Sequence, residues 1–100
     1  MRRNDVIARL KETEPVLRAA GVGALYLFGS HARDEAGPDS DIDVFVDPVS
    51  DEKLSFLPFM RAYEALQEAF EYRIDIGYST RAGLSPYVRS DVEREALRIF

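Results

Sequence analysis

The sequence contains no cysteine and only one histidine among its 100 residues. The lack of cysteine excludes disulfide bonds and thiolate chemistry, and it is compatible with a reducing compartment. No apolar run approaches the roughly 20 residues that a membrane-spanning helix needs. The basic start of the chain is not followed by the long apolar segment of a signal peptide. We therefore expect a cytoplasmic protein that does not associate with a membrane.

Basic residues are also in the minority, with 13 Lys and Arg against 18 Asp and Glu. Affinity for nucleic acid comes mainly from basic side chains that neutralise phosphates, so we do not expect this chain to bind nucleic acid directly. Hydrophobic residues make up 46% and charged residues 31%, which is ordinary for a folded globular protein. The length predicts one domain that spans residues 1–100.

Hydrophobic periodicity predicts an α+β (α/β) fold in which helices and strands alternate. A helix capped by Asn4 is interrupted by Pro15, and a second short segment capped by Thr13 ends at Gly21. The later elements are predicted as a strand at 22–28, a helical turn at 31–35, a strand at 41–47, a polar connection at 49–53, a helix at 54–70, a strand at 72–78, and a helix from Ser85-Pro86 to residue 99 or 100. The short connection between the first two strands predicts antiparallel pairing, and hence a small mixed sheet with helices packed on one face.

The second predicted strand carries two aspartates, Asp41 and Asp43, which is unusual because aspartate is uncommon in strands. Side chains alternate along a strand, so both carboxylates point to the more open face with attachment points roughly 6.5–7 Å apart. Both could reach one divalent cation or a closely spaced pair. The alternative interpretation is the solvated face of a half-exposed sheet, which is favoured for an Asp-x-Asp pattern taken alone.

Three further features favour a functional site. Gly29-Ser30 forms a turn directly after the first predicted strand, and its backbone N–H groups could bind a phosphate. Arg33 lies between this turn and the aspartates, where it could donate forked hydrogen bonds to a phosphate. Asp75 adds an acidic residue on a third predicted strand. Together these residues are the parts of a phosphoryl- or nucleotidyl-transfer site.

The spacing of these residues resembles a known family. Gly29-Ser30, ten residues and then Asp41-Ile42-Asp43 are similar to the G-S-x10-D-x-D signature of the minimal nucleotidyltransferases (MNT), in the DNA polymerase β-like superfamily. The flanking segments LYLFGSHAR and SDIDVFV resemble the family's L-x-LFGS-x-AR and SD-[IV]-D segments. The resemblance covers most of the chain, and it implies a nucleotidyltransferase fold like the palm of DNA polymerase β.

The resemblance also implies roles for individual residues. Asp41 and Asp43 are similar to the pair that holds two Mg²⁺ ions, and Gly29-Ser30 to the turn that binds the β- and γ-phosphates of the nucleotide. Asp75 resembles the third carboxylate, which completes the catalytic metal site and helps to deprotonate the acceptor hydroxyl. These residues are therefore the predicted catalytic, metal-binding and nucleotide-binding groups.

Some of these assignments have rivals. Asp47 competes with Asp75 as the third carboxylate, because it shares the face of Asp43, but it sits near the end of its strand. Asp34 stands where the family commonly has glycine after the arginine, which weakens the assignment of Arg33 to a phosphate. The single histidine, His31, has no partner at metal-ligand spacing, so we expect it on the surface.

The activity implied by the resemblance is Mg²⁺-dependent transfer of AMP, or of another nucleoside monophosphate, from ATP to a hydroxyl group. Many stand-alone members are antitoxins paired with a HEPN-domain ribonuclease toxin, which they inactivate by adenylylating a tyrosine. A HEPN-domain partner in a hetero-oligomer, or a homo-oligomer, is therefore expected. The alternative is a non-enzymatic antitoxin that masks its partner by stoichiometric binding. A third interpretation, transfer to an antibiotic or a nucleic-acid end, would require a second domain or subunit.

Overall fold

The structure is a computed structural model that describes residues 1–50 and 54–100, so the predicted connection at 49–53 lies mostly outside the described residues. Two helices, a pair of strands and a long helix come first: α1 (Arg3–Glu12), α2 (Glu14–Ala19), β1 (Val22–Phe28), β2 (Ile42–Pro48) and α3 (Phe56–Ala69). The remainder comprises β3 (Ile76–Thr80), a 3₁₀ turn (Arg81–Gly83), α4 (Arg89–Glu95) and β4 (Leu97–Arg98). The predicted α+β class is confirmed.

The four strands form one mixed sheet in the order β3-β2-β1-β4. Strands β1 and β2 pair antiparallel, as their short connection predicts. Strand β3 pairs parallel with β2, and α3 supplies the crossover that such a pair needs. Strand β4 adds to the other edge of β1 in the antiparallel sense. The central position of β2 places its aspartates between two neighbouring strands.

The core lies mainly between α1–α3 and one face of the sheet. The alternating residues Ile42, Val44 and Val46 of β2 are fully buried there. A smaller cluster of Phe45, Leu84 and Val92 packs on the opposite face. This second cluster was not part of the sequence prediction, because Phe45 stands among acidic neighbours in the strand. Within the described residues, no helix is long and apolar enough to cross a membrane.

The N-terminal helix breaks where proline predicts it. Pro15 lies in the first turn of α2, where the missing N–H is tolerated. Thr13 separates the two helices, but its hydroxyl donates to the Leu10 carbonyl at 2.6 Å and does not cap α2. The predicted cap at Asn4 is also wrong, because α1 begins at Arg3.

The third strand begins later than predicted, at Ile76 and not at Tyr72. Glu71 and Tyr72 both have φ of +57°, so the chain leaves α3 through two left-handed residues. This conformation ends the helix and is incompatible with an extended strand at the same place. Asp75 therefore lies immediately before β3.

The C-terminal segment differs most from its prediction. The last helix ends at Glu95, and the chain then extends along the free edge of β1. The Ile99 N–H donates to the Leu25 carbonyl at 2.8 Å, and the Leu25 N–H donates to the Phe100 carbonyl at 3.1 Å. Ile99 is only 6% exposed. Pairing with a strand distant in sequence overrides the local helical pattern.

Candidate active site

Asp43 lies on the central strand with a glycine close to it on each side. On β3, Gly77 pairs directly with Asp43. On β1, Phe28 pairs with Asp43, and Gly29 is the residue after Phe28. A Cβ atom on Gly77 would lie 2.5 Å from Asp43 Oδ1, and one on Gly29 would overlap Oδ2. The Asp43 carboxylate thus occupies space that any other residue at these two positions would fill.

Asp41 and Asp75 lie together at the same end of the sheet. Ile42 pairs with Ile76, and the Ile42 N–H donates to the Asp75 carbonyl at 2.9 Å. The residues that precede this pair, Asp41 and Asp75, are exposed and line one cavity of about 220 Å³. The structure therefore brings the predicted third carboxylate beside Asp41, one member of the predicted pair.

The electrostatics of Asp43 reflect its crowded position. Burial raises the pKa of the Asp43 carboxyl above its usual range, and the neighbouring Asp41 carboxylate raises this pKa further. His31 and Arg33 act on it in the opposite direction, while Glu95 adds to the rise. A nearby cation would favour the ionised carboxylate and relieve this repulsion.

The residues present fit Mg²⁺ by their chemistry. Asp41, Asp43 and Asp75 offer oxygen ligands, which this cation prefers. The glycines beside Asp43 leave its carboxylate without neighbouring side chains at two positions. Among the residues that the structure describes, no three His, Asp or Glu side chains already stand together as a ready-made metal cluster.

The turn after β1 holds the residues predicted for phosphate. Gly29 has φ of +77°, a left-handed conformation that favours glycine. The Gly29 N–H donates to Glu95 Oε1 at 3.2 Å. Arg33 Nη1 donates to Glu95 Oε1 at 3.2 Å and to Oε2 at 3.0 Å, while Arg33 Nε donates to Glu35 at 3.1 Å. Two predicted phosphate donors thus converge on one carboxylate.

Sequence reasoning missed Glu95. Its position depends on β4, a strand that the helical pattern at the C-terminus concealed. The local sequence around Glu95 resembles any exposed helix end. Only the pairing of β4 with β1 could have identified it.

The residues after Ser30 form the single turn that was predicted, closed by the Glu35 N–H donating to the Ser30 carbonyl at 2.9 Å. Asp34 in this turn has φ of +59°, a backbone region that glycine adopts without strain and aspartate tolerates. The Asp34 residue lines a different surface pocket, together with Arg2 and Arg3. This conformation explains why glycine suits the position in the family.

The surface placement expected for His31 is wrong. His31 is 4% exposed, and within the described residues neither ring nitrogen has a hydrogen-bond partner. The turn is held against α1, where Arg3 Nη1 donates to the Ala32 carbonyl at 3.3 Å. This contact joins residues that are distant in sequence, and no short sequence pattern predicts the burial of the turn.

Asp47 has a structural partner at the far end of β2. Arg81 donates to both carboxylate oxygens of Asp47, each at 2.9 Å. The same guanidinium lies 5.0 Å from the ring centre of Tyr26 and 4.9 Å from that of Phe45. Asp47 is therefore paired with Arg81 at the other end of β2 from Asp41, and Asp75 stays the predicted third ligand.

Comparisons with known proteins agree with this geometry. The family model for the nucleotidyltransferase domain matches residues 6–99. The protein adenylyltransferase MntA of Thermococcus cleftensis is 33% identical over an alignment of 93 residues, and the match covers 83% of this chain and 92% of the relative. These two matches establish the sequence relationship.

Solved structures agree with the same fold. The structure of a protein assigned as a minimal nucleotidyltransferase has a TM-score of 0.80 at 30% identity, and the match covers 97% of this chain and 95% of that one. A crystal structure of a toxin-antitoxin with AMP-PNP has a TM-score of 0.68 at 20% identity, covering 100% of this chain and 73% of that one, which is a likeness of fold alone. The chain is a nucleotidyltransferase and belongs to the nucleotidyltransferase domain family, among its minimal members.

Proposed function

We propose that this nucleotidyltransferase moves AMP, or another nucleoside monophosphate, from ATP to a hydroxyl group on a partner protein, and that it acts as an antitoxin. The observation that carries the proposal is the position of Asp43 between Gly29 and Gly77, beside the predicted phosphate turn. The related MntA is a protein adenylyltransferase, and a structural neighbour is a toxin-antitoxin with AMP-PNP. The proposed setting is the cytoplasm, where ATP is available.

In this proposal Asp41, Asp43 and Asp75 would hold two Mg²⁺ ions, which would supply charge neutralisation for the triphosphate and for the transferred group. The backbone of Gly29-Ser30 binds the β- and γ-phosphates. The acceptor oxygen forms a bond to the α-phosphorus, the bond from that phosphorus to the β-bridging oxygen breaks, and pyrophosphate leaves. Asp75 accepts the proton of the acceptor hydroxyl, for which its exposed position at the edge of β3 is suitable.

The proposed acceptor is a tyrosine of a HEPN-domain toxin, bound in a hetero-oligomer. Asp41 and Asp75 lie on the surface and not in a closed cleft, so a folded protein can present a side chain to them. The formal net charge of −5 suits a protein acceptor better than a nucleic acid. A protein hydroxyl therefore fits both the accessibility and the charge of the site.

The experiment is incubation of the purified protein with ATP labelled at the α-phosphate, Mg²⁺ and the protein encoded by the neighbouring gene, as the proposed partner. We expect label on the partner with the natural chain, and a loss of about 100-fold or more with Asp41→Asn or Asp43→Asn. Asp5→Asn is the matched control, because it removes one exposed carboxylate of α1 far from the site in sequence. Absence of label with the natural chain would contradict the proposal.

Masking of the toxin by stoichiometric binding is the second candidate function. Phe56 and Leu57 at the start of α3 are 73% and 67% exposed, which favours a protein contact there. The two candidates differ in what Asp43→Asn does to neutralisation of the partner. Full neutralisation by this variant at equal stoichiometry would favour masking, and its loss with binding retained would favour catalysis.

A further inference from the structure

The short C-terminal strand positions Glu95 against the phosphate turn. Strand β4 pairs with β1 through Leu97 with Leu27 and Arg98 with Tyr26. Glu95 is the last residue of α4, two residues before Leu97, and Gly29 follows the last residue of β1. The pairing of β4 with β1 therefore brings the end of α4 next to the phosphate turn, where Glu95 accepts from the Gly29 N–H at 3.2 Å.

The Glu95 carboxylate occupies a site with the donors of an anion-binding position. It accepts from the Gly29 N–H at 3.2 Å and from Arg33 Nη1 through both oxygens. A glycine-turn N–H together with a guanidinium is a combination that binds phosphate oxygens. The Glu95 side chain is 29% exposed, so that it can move toward solvent without unfolding the strand behind it.

We propose that Glu95 is an internal competitor for the triphosphate. In the nucleotide-free protein it holds Gly29 and Arg33 in place, and it leaves these donors when phosphate binds. This inference rests on the proposed phosphate-binding role of Gly29-Ser30. A carboxylate and a phosphate cannot share the same donors without strong like-charge repulsion. Glu95 therefore lowers affinity for phosphate ligands and makes Arg33 available only to a ligand that displaces it.

The chain offers a matched control on the same helix. Glu93 lies two residues before Glu95, but it pairs with Arg81 Nη1 at 2.7 Å, away from the phosphate turn. Glu93→Gln and Glu95→Gln remove the same charge from α4. A difference in pyrophosphate affinity between these two variants therefore measures the effect of the Glu95 contact with Gly29 and Arg33, because both variants change the total charge equally.

The test is isothermal titration with sodium pyrophosphate in metal-free buffer, which probes the phosphate turn apart from the metal ligands. Glu95→Gln is expected to bind pyrophosphate about tenfold more tightly than the natural chain, and Glu93→Gln to stay within about twofold. Arg33→Gln in the Glu95→Gln background is expected to abolish the gain. Equal or weaker binding by a folded Glu95→Gln variant would overturn the inference.

A second variant guards against misfolding. Glu95→Asp keeps the charge but withdraws the carboxylate by one methylene, and we expect it to tighten pyrophosphate binding in the same direction. Unchanged affinity in this variant would also count against displacement. If the natural chain transfers label to its partner while Glu95→Gln gains no affinity, only this inference fails. If no variant binds pyrophosphate or Mg²⁺-ATP, the phosphate role of Gly29-Ser30 fails with it.

Discussion

Gly77 on β3 pairs with Asp43 on β2, and a Cβ atom on Gly77 would lie 2.5 Å from Asp43 Oδ1. The close approach is steric and not conformational, because Gly77 does not have a positive φ. The third strand therefore contributes an empty position to the site, and the residue just before it contributes the Asp75 carboxylate.

Gly77→Ala is expected to lower AMP transfer by about 100-fold, because the added methyl group must displace the Asp43 carboxylate. The measurement is the initial rate of transfer at saturating ATP. Gly37→Ala is the control, since a Cβ there would meet only Ser40 Oγ at an ordinary 3.9 Å. Wild-type rates in Gly77→Ala would contradict the proposed role of Asp43.

Asp43→Asn is expected to stabilise the protein at neutral pH in buffer without divalent cations. Burial and repulsion from Asp41 raise the pKa of Asp43, so the folded state binds this proton more tightly than the unfolded state. Stability contributed by the proton is therefore present at low pH and lost as the pH rises through the raised pKa. We expect the variant to melt about 2–4 °C higher at neutral pH, with the difference vanishing at acidic pH.

The control for this experiment is Asp5→Asn, which should show no such pH-dependent gain. Melting curves recorded by circular dichroism across the acidic to neutral range give the comparison. A lower melting temperature for Asp43→Asn at neutral pH would show that the carboxylate is stabilised by contacts that this account omits.

We expect Asp75→Asn to lower the transfer rate and Asp47→Asn to lower the stability of the fold. Asp75 is exposed beside Asp41, so its variant should keep the natural melting temperature and lose about 100-fold in transfer rate. Asp47 forms two hydrogen bonds with Arg81, so its variant should lose about 1 kcal/mol of stability and keep its rate per folded molecule. The opposite pattern, measured by denaturant unfolding and initial rates, would make Asp47 the third ligand.

The sequence was sufficient for the residues that lie close together along the chain. Gly29-Ser30, Asp41 and Asp43 belong to one spaced motif, and strand alternation alone predicts that the two aspartates share a face. The antiparallel pairing of β1 and β2 followed from the length of their connection. Each of these inferences depends on local geometry.

The residues that sequence reasoning misplaced depend on contacts between distant segments. His31 lies buried in a turn that is hydrogen-bonded to Arg3 of α1, and Glu95 reaches the site because β4 pairs with β1. The late start of β3 depends on the left-handed conformation of Glu71 and Tyr72. The apolar alternation of Tyr72, Ile74 and Ile76 predicts a strand from residue 72. Hydrophobic periodicity describes one helix or strand at a time and does not predict contacts between distant segments.

Ile99→Ala is expected to destabilise the protein by about 2–4 kcal/mol, because this side chain is buried against the main core. The loss of stability in this variant tests whether the C-terminal segment, which sequence analysis did not predict as a strand, pairs with β1. Arg98→Ala is the neighbouring control, since Arg98 is exposed on the same strand. Equal stabilities of the two variants, measured by urea unfolding, would contradict the pairing of the C-terminal segment with β1.

The central claim is transfer of a nucleoside monophosphate to a partner protein at the site built around Asp43. It is tested most directly by parallel incubations of the chain and the proposed HEPN-domain partner with ATP labelled at either the α- or the γ-phosphate. The account predicts label on the partner from the α-phosphate alone, lost with Asp43→Asn and retained with Asp5→Asn. Label from the γ-phosphate, or no label from either position, would contradict it.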